Sequence, residues 1–231
     1  MTTDILQEQI QYYRDRASEY DEWFFRQGRY DRGEPHRQLW FSEVADVEVA
    51  LGESKPSGDI LELASGTGLW TQHLADFATT LTAVDASPEV IALNKQRLNS
   101  TSSKYSIKYI IADLFNWTPS QQYDFIFFGF WLSHVHPDRF TDFWQTVKNA
   151  LKPDGCVFFV DSLFNPESTA NNHTKLDRQG YSERKLNDGK TYRIVKIFHE
   201  PLQLKESLQQ LGWSGNVHST TNFFLHGLVH L

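Results

Sequence analysis

Cysteine is nearly absent from this chain. Of 231 residues one is cysteine, Cys156, which excludes an intramolecular disulfide and suits a reducing compartment. It lies in the apolar run Cys156-Val157-Phe158-Phe159-Val160, where it reads as buried filler rather than a nucleophile. Long apolar runs are missing too: none approaches the ~20 residues of a membrane span, so no membrane partner is expected. The opening, Met-Thr-Thr-Asp-Ile-Leu-Gln-Glu, is polar and acidic, unlike a signal peptide. Positive charge is scarce. Twenty-two Lys and Arg face 29 Asp and Glu, a formal net charge of −7, and the basic residues are scattered. Nucleic-acid-binding domains display a basic face, so nucleic acid is not the expected partner. No repeat or low-complexity block is present. These absences leave a cytoplasmic enzyme, long enough for one α/β domain with a full core. Aromatics are abundant instead, with 17 Phe, 9 Tyr and 7 Trp.

The chain is organised around Asp59–Ala75. Ile60, Leu61 and Leu63 make an apolar run suited to a buried parallel strand. Ser65-Gly66-Thr67-Gly68 is a turn of small residues, and Leu69, Trp70, Leu74, Ala75 and Phe77 then recur at helical spacing. Strand, glycine turn and helix open a nucleotide-binding sheet. A nicotinamide site wants G-x-G-x-x-G with a pyrophosphate on the helix N-terminus. Here the third position is Thr71, and Glu62 precedes the turn. A carboxylate there repels a diphosphate and favours a cationic ligand. S-adenosyl-L-methionine carries a sulfonium and an ammonium and no phosphate.

The pattern Glu62-x-Ala64-x-Gly66-x-Gly68 resembles motif I of the Rossmann-like (class I) S-adenosylmethionine-dependent methyltransferases, which usually have glycine where this chain has Ala64. The resemblance implies a cofactor site at Glu62, Ala64, Gly66, Thr67 and Gly68. It also implies an α/β fold: a mostly parallel seven-stranded sheet with helices on both faces, closed by a reversed C-terminal hairpin.

Residues 4–25 read as one or two amphipathic helices, with Tyr13, Ala17, Tyr20 and Phe24 on one stripe. They either pack on the sheet or, by resemblance to a Tyr-x-x-x-Ala-x-x-Tyr lid, close over the cofactor with Tyr13 or Tyr20 on its methionyl carboxylate. Pro35 opens a helix over 36–51. Thr80–Val84 reads as a second strand ending in Asp85-Ala86, where an acid can accept both ribose hydroxyls. Asp85 could instead cap the next helix, but Ser87, followed by Pro88, fills that place better. A helix over 88–99 leads to strand three, Tyr105–Ala112, which ends in Asp113-Leu114. By resemblance the acid bonds the adenine amine and the leucine walls the ring; the alternative is an aspartate capping a turn. Strand four, Tyr123–Gly129, is nearly all apolar and runs into Phe130-Trp131-Leu132-Ser133-His134-Val135-His136, which resembles motif IV. Leu151-Lys152-Pro153-Asp154-Gly155 reads as a turn into strand five, ending at Asp161.

Residues 162–180 form a long polar loop, including Asn171, Asn172 and His173. Asn187-Asp188-Gly189 marks a hairpin between Tyr181–Leu186 and Lys190–Phe198. A helix over 201–211 and strands at about 213–219 and 222–230 complete the chain. One domain is expected: an N-terminal lid (1–52), a cofactor-binding core (58–161), a lid hairpin (162–200) and a C-terminal helix and hairpin (201–231).

The expected activity is methyl transfer to an O or N atom of a small-molecule acceptor, with no metal. Phe130 and Trp131 would supply an aromatic wall for the sulfonium. An acceptor hydroxyl or protonated amine needs a base, and His134 is placed for it, with His136 second. A carboxylate acceptor needs none, and Arg193 or Lys196 would then hold it. The expected acceptor pocket is Trp131, His134, Tyr181 and Arg193. Two other readings stay open: a non-catalytic S-adenosylmethionine-binding protein, and a nicotinamide-dependent oxidoreductase.

Overall fold

The computed structural model describes residues 3–101, 106–170 and 180–231. Asn171, Asn172, His173 and the expected strand-three start at Tyr105 lie outside the described residues. Helices α1 (Thr3–Asp15), α2 (Tyr20–Phe24) and α3 (Glu34–Glu53) come first. Then β1 (Gly58–Leu63), α4 (Leu69–Ala75), β2 (Ala78–Asp85), α5 (Pro88–Thr101), β3 (Ile107–Ile111), β4 (Tyr123–Gly129), α6 (Pro137–Ala150) and β5 (Leu151–Ser162) build the core. The hairpin β6 (Tyr181–Lys185) and β7 (Thr191–Val195), α7 (Pro201–Gln210), β8 (Ser214–Ser219) and β9 (Phe224–His230) follow.

Seven strands form one sheet in the order β3-β2-β1-β4-β5-β9-β8. β1 to β5 pair in parallel, and β9 runs antiparallel to β5 and β8. This is the Rossmann-like sheet with its reversed C-terminal hairpin. Parallel sheets need cover on both faces, and strand alternation divides the apolar residues accordingly. Ile126 and Phe128 join Phe143, Trp144 and Leu204 from α6 and α7. Phe125 and Phe127 join Trp40, Val44 and Val47 of α3 on the other face. No helix among the described residues is long and apolar enough to cross a membrane.

The one or two N-terminal helices expected are two: α1 ends at Asp15, a 3-10 turn covers Ala17–Glu19, and α2 restarts at Tyr20, so the stripe through Tyr13, Ala17 and Tyr20 crosses a break. One local expectation is corrected. The Lys152-Pro153-Asp154-Gly155 segment is not a turn before β5 but lies inside it. Register steps from Tyr123↔Leu151 to Phe125↔Cys156, so the segment bulges opposite Asp124. Lys152 Nζ bridges Asp124 (2.8 Å) and Asp59 (3.1 Å) across the bulge. A Cβ on Gly155 would come within 2.9 Å of the Asp124 carbonyl oxygen, which is why glycine stands there.

Candidate active site

The strands' C-terminal ends border a cavity. Ala64 and Gly66 face it from beyond β1, Asp85 and Ala86 from β2, and Asp113 and Leu114 from beyond β3. Gly129, Phe130, Trp131 and His134 face it from β4 and the following segment, and Tyr13 and Tyr20 cover it from the N-terminal helices. Leu6, Gln9 and Ile10 of α1 complete that cover, with no motif in the sequence to mark them. Ala64 and Phe130 both hold the left-handed backbone region, at φ +52° and +56°. Such strain in non-glycine residues gathers at functional sites.

The two acids are held by their own loops. Asp85 Oδ2 accepts from the Gly66 amide and Oδ1 from the Ser87 amide, each at 2.9 Å. Burial pushes its carboxyl above the ordinary value against the pull of those amides. Asp113 Oδ1 accepts from Phe115 N (3.0 Å) and Oδ2 from Asn116 Nδ2 (2.6 Å), a capped turn at the rim of the same cavity.

Glu62, Thr67 and Gly68 do not face this cavity. Glu62 and Thr67 border a smaller recess behind the glycine turn, shared with Tyr20 and Trp70. Glu62 is 1% exposed, and burial raises its carboxyl to about 8, although the Thr71 hydroxyl donates to it at 2.6 Å. Asn94 Nδ2 donates in turn to Thr71 Oγ1 (2.8 Å), and Tyr109 donates to Asn94 Oδ1 (2.9 Å). The residue in the third-glycine position thus links Asn94 to Glu62 within a polar chain that ends at the buried carboxyl. Thr67 Oγ1 donates to Asp21 Oδ1 of α2 at 2.5 Å, and Arg97 of α5 pairs with the same carboxylate. Gly68 caps α4 at φ +92°, where a Cβ would strike Asn94 at 2.8 Å.

A second cavity adjoins the first. Tyr13, Tyr20, Phe130 and His134 line both and form the partition. Arg16, Arg184 and Lys196 line the second cavity, and no carboxylate does among the described residues. Arg16 is buried; its guanidinium lies 4.8 Å from the Tyr20 ring centre and 5.6 Å from that of Tyr12. Arg184 donates to Thr169 Oγ1 at 3.1 Å. Lys196 Nζ donates to Ser133 Oγ at 2.7 Å and lies 3.7 Å from Asp161 Oδ1. Burial lowers its ammonium to about 8; Asp161 opposes this, and Arg184 and Arg16 add to it.

His134 Nδ1 lies 2.7 Å from the Val195 carbonyl and Nε2 lies 2.7 Å from Tyr13 Oη. A carbonyl only accepts, so Nδ1 carries the hydrogen and Nε2 accepts from the tyrosine hydroxyl. Burial first, then Lys196, holds His134 well below its ordinary value and hence neutral. His136 is elsewhere: it caps α6 and stacks on Tyr181.

Tyr181 and Arg193 lie outside both cavities, with the Arg193 guanidinium 4.2 Å from the Tyr181 ring centre. Their pairing places Tyr181, Glu183 and Arg193 on one hairpin face and Arg184 and Ile194 on the other. Of the two cations expected to hold an acid, Lys196 lines the second cavity and Arg193 does not.

An α/β sheet with a cavity at its strand ends is the ligand-binding arrangement of the doubly wound class. The strand-end cavity has two carboxylates and no lysine or arginine among its described lining residues. That donor set fits a cationic nucleoside and not a diphosphate. A family model described as a methyltransferase domain matches residues 60–155. Two solved structures, described as the "DhpI-SAH complex structure" and the "DhpI-SAM-HEP complex", are 36% and 35% identical to the chain. Their TM-scores are 0.80 and 0.81, and the alignments span 100% of this chain and 98% and 100% of theirs. The trans-aconitate 2-methyltransferase of Streptomyces avermitilis is 30% identical over 206 residues, 86% of this chain and 71% of the relative. An uncharacterized methyltransferase of Staphylococcus carnosus is 28% identical over 131 residues, and the chain spans 60% of its length.

The chain belongs to the class I S-adenosylmethionine-dependent methyltransferases. Its cofactor is S-adenosylmethionine.

Proposed function

We propose that this methyltransferase acts on a small acidic molecule and places the methyl group on an anionic oxygen. One observation carries the reading. A chain with a net charge of −7 brings Arg16, Arg184 and Lys196 into one cavity beside the strand ends, with no carboxylate among the described residues lining it. Cations so placed suit an oxyanion. The relative named for trans-aconitate supports an acidic acceptor.

Each site residue takes a role in this reading. Bound S-adenosylmethionine supplies an electrophilic methyl group on a sulfonium. Asp85 holds the ribose hydroxyls, and Asp113 and Leu114 take the adenine edge and face. Glu62, behind the glycine turn, offers its carboxyl group to the methionyl ammonium, whose charge would favour the ionised form, with Tyr13 and Tyr20 above. The aromatic wall of Phe130 and Trp131, both lining the strand-end cavity, faces the sulfonium without competing as an acceptor. Arg16, Arg184 and Lys196 orient the acid so that one oxygen attacks in line. An oxyanion brings no proton to remove. His134 therefore orients the Tyr13 hydroxyl rather than acting as general base.

The test is transfer of radiolabelled methyl from S-adenosylmethionine to a panel of carboxylic acids (trans-aconitate among them), phosphate-bearing acids, amines and phenols. Label on acids alone is the expected result. Label confined to amines or phenols would sink the reading.

A further inference from the structure

Building on the acid-acceptor reading, we propose that the acceptor's negative charge, sensed by Arg16, strengthens cofactor binding through helix α1. The helix and the residue after it line both cavities. Leu6 and Ile10 cover the strand-end cavity, Tyr12 and Arg16 line the cationic one, and Tyr13 lies in the partition. Residues four apart share a helix face, so these are two adjoining rows on one rigid element. Neither row can leave its cavity without moving the other.

Arg16 makes the linkage depend on charge. It is 9% exposed, and its Nε has no hydrogen-bond partner. Among the described residues its neighbours are the faces of Tyr12 and Tyr20 rather than a carboxylate. A buried guanidinium without a counter-charge opposes the docked position of α1. An anion in the cationic cavity removes that opposition, and it does so only while α1 is docked.

The docked position is otherwise well supported. Gln9 donates to the His134 carbonyl (3.3 Å) and accepts from the Val195 amide (3.0 Å). Glu8 accepts from the Arg193 amide at 2.6 Å, and Asp15 accepts from the Tyr192 hydroxyl. Arg16, one residue beyond this well-bonded helix, is a buried cation held by tyrosine rings and by no carboxylate among the described residues. Filling the cationic cavity favours the docked helix, which closes Leu6, Ile10 and Tyr13 over the cofactor. By reciprocity, bound cofactor raises affinity for the anion equally.

Isothermal titration with S-adenosylhomocysteine tests this on the full chain. It would be run without added anion and with acetate, malonate, sulfate or inorganic phosphate at constant ionic strength. The expected result is about ten-fold tighter binding of S-adenosylhomocysteine with a saturating anion, within the usual range of coupling between sites. Arg16→Gln and Arg16→Met should bring the ratio close to one, and residual S-adenosylhomocysteine binding would report that these variants are folded. Arg193→Ala, which removes a cation outside both cavities, should keep the full ratio. An anion that binds without changing the cofactor-product affinity would overturn the coupling and leave the acid-acceptor reading standing. Coupling that survives Arg16→Gln would overturn the assignment to Arg16. If no acid binds or is methylated, the acid-acceptor reading fails and takes this inference with it.

Discussion

Tyr13 and His134 are joined by a 2.7 Å hydrogen bond whose direction is set from behind, because the histidine's other nitrogen donates to the Val195 carbonyl. The pair stands in the partition between the two cavities. If it orients rather than abstracts, Tyr13→Phe and His134→Gln should each lower kcat by about 10-fold, the scale of one lost hydrogen bond. The pH profile of kcat between 5 and 8 should keep its shape in both. A His134→Gln enzyme that lost an acid limb present in the parent would restore the general-base role.

Asp85 spends both oxygens on backbone amides of its own neighbourhood, and its carboxyl is raised by burial. Asp85→Ala should weaken S-adenosylhomocysteine binding by about 10- to 100-fold, as expected for charge-assisted hydrogen bonds. Titration calorimetry reads this directly, and an unchanged affinity would remove the ribose role.

Glu62 gives a stability effect of opposite direction to its binding effect. Its folded-state carboxyl lies near 8 against an ordinary value of 4.5. The unfolded chain therefore gives up this proton first, and the stability present below pH 4.5 is lost as pH rises toward 8. Glu62→Gln keeps a hydrogen-bonding group without the ionisation. It should be more stable than the parent at pH 8 by about 1–2 kcal/mol, a typical size for a single substitution, and should bind cofactor less tightly. Thermal unfolding of the cofactor-free proteins at pH 5 and pH 8 is the check: the two curves should converge at the lower pH.

Ala64 sits at φ +52°, in the position where the motif it resembles usually has glycine. Ala64→Gly should be neutral or stabilising by up to about 1 kcal/mol, since it removes a left-handed alanine but frees the unfolded chain. Ala64→Val should cost about 2 kcal/mol or more, because a β-branched residue resists that region. Chemical denaturation distinguishes the two directions.

Lys196 is protonated below about 8 and neutral above it. The acid acceptor should lose a cationic partner as pH rises through that value, so its KM should climb above pH 8 while kcat changes little. Lys196→Met should raise KM by about 10-fold at neutral pH, on the scale of one charge-assisted bond, and abolish the alkaline rise. Initial rates at fixed, saturating cofactor measure both.

Much of the fold was legible because parallel strands announce themselves. Ile60-Leu61 and Phe125-Ile126-Phe127-Phe128 are apolar on both faces, which only a sheet covered on both sides demands. Asp85 and Asp113 were legible because each follows such a run directly. The cationic cavity was not. Its inward face on the hairpin is chosen by contact with α1, where Tyr12 meets Tyr192 at 5.7 Å between ring centres, so Arg184 and Lys196 turn inward and Arg193 outward. A hairpin polar on both faces does not show that choice in its sequence. Arg16 was hidden for a related reason: it stands where α1 gives way to a 3-10 turn, off the periodic stripe. The Lys152–Gly155 bulge escaped because Pro-Asp-Gly reads as a turn wherever tertiary pairing does not capture it.

The contrast between a cationic hollow and an acidic exterior shapes how an acid would arrive. At long range it meets the repulsion of a body carrying −7; only within about a Debye length, ~10 Å in 0.1 M salt, do the three cations dominate. Added salt then has opposing effects, quickening approach by damping the outer repulsion and slackening the hold once inside. Turnover by this enzyme should be fastest at an intermediate ionic strength, a property set by where the charges sit rather than by how many there are.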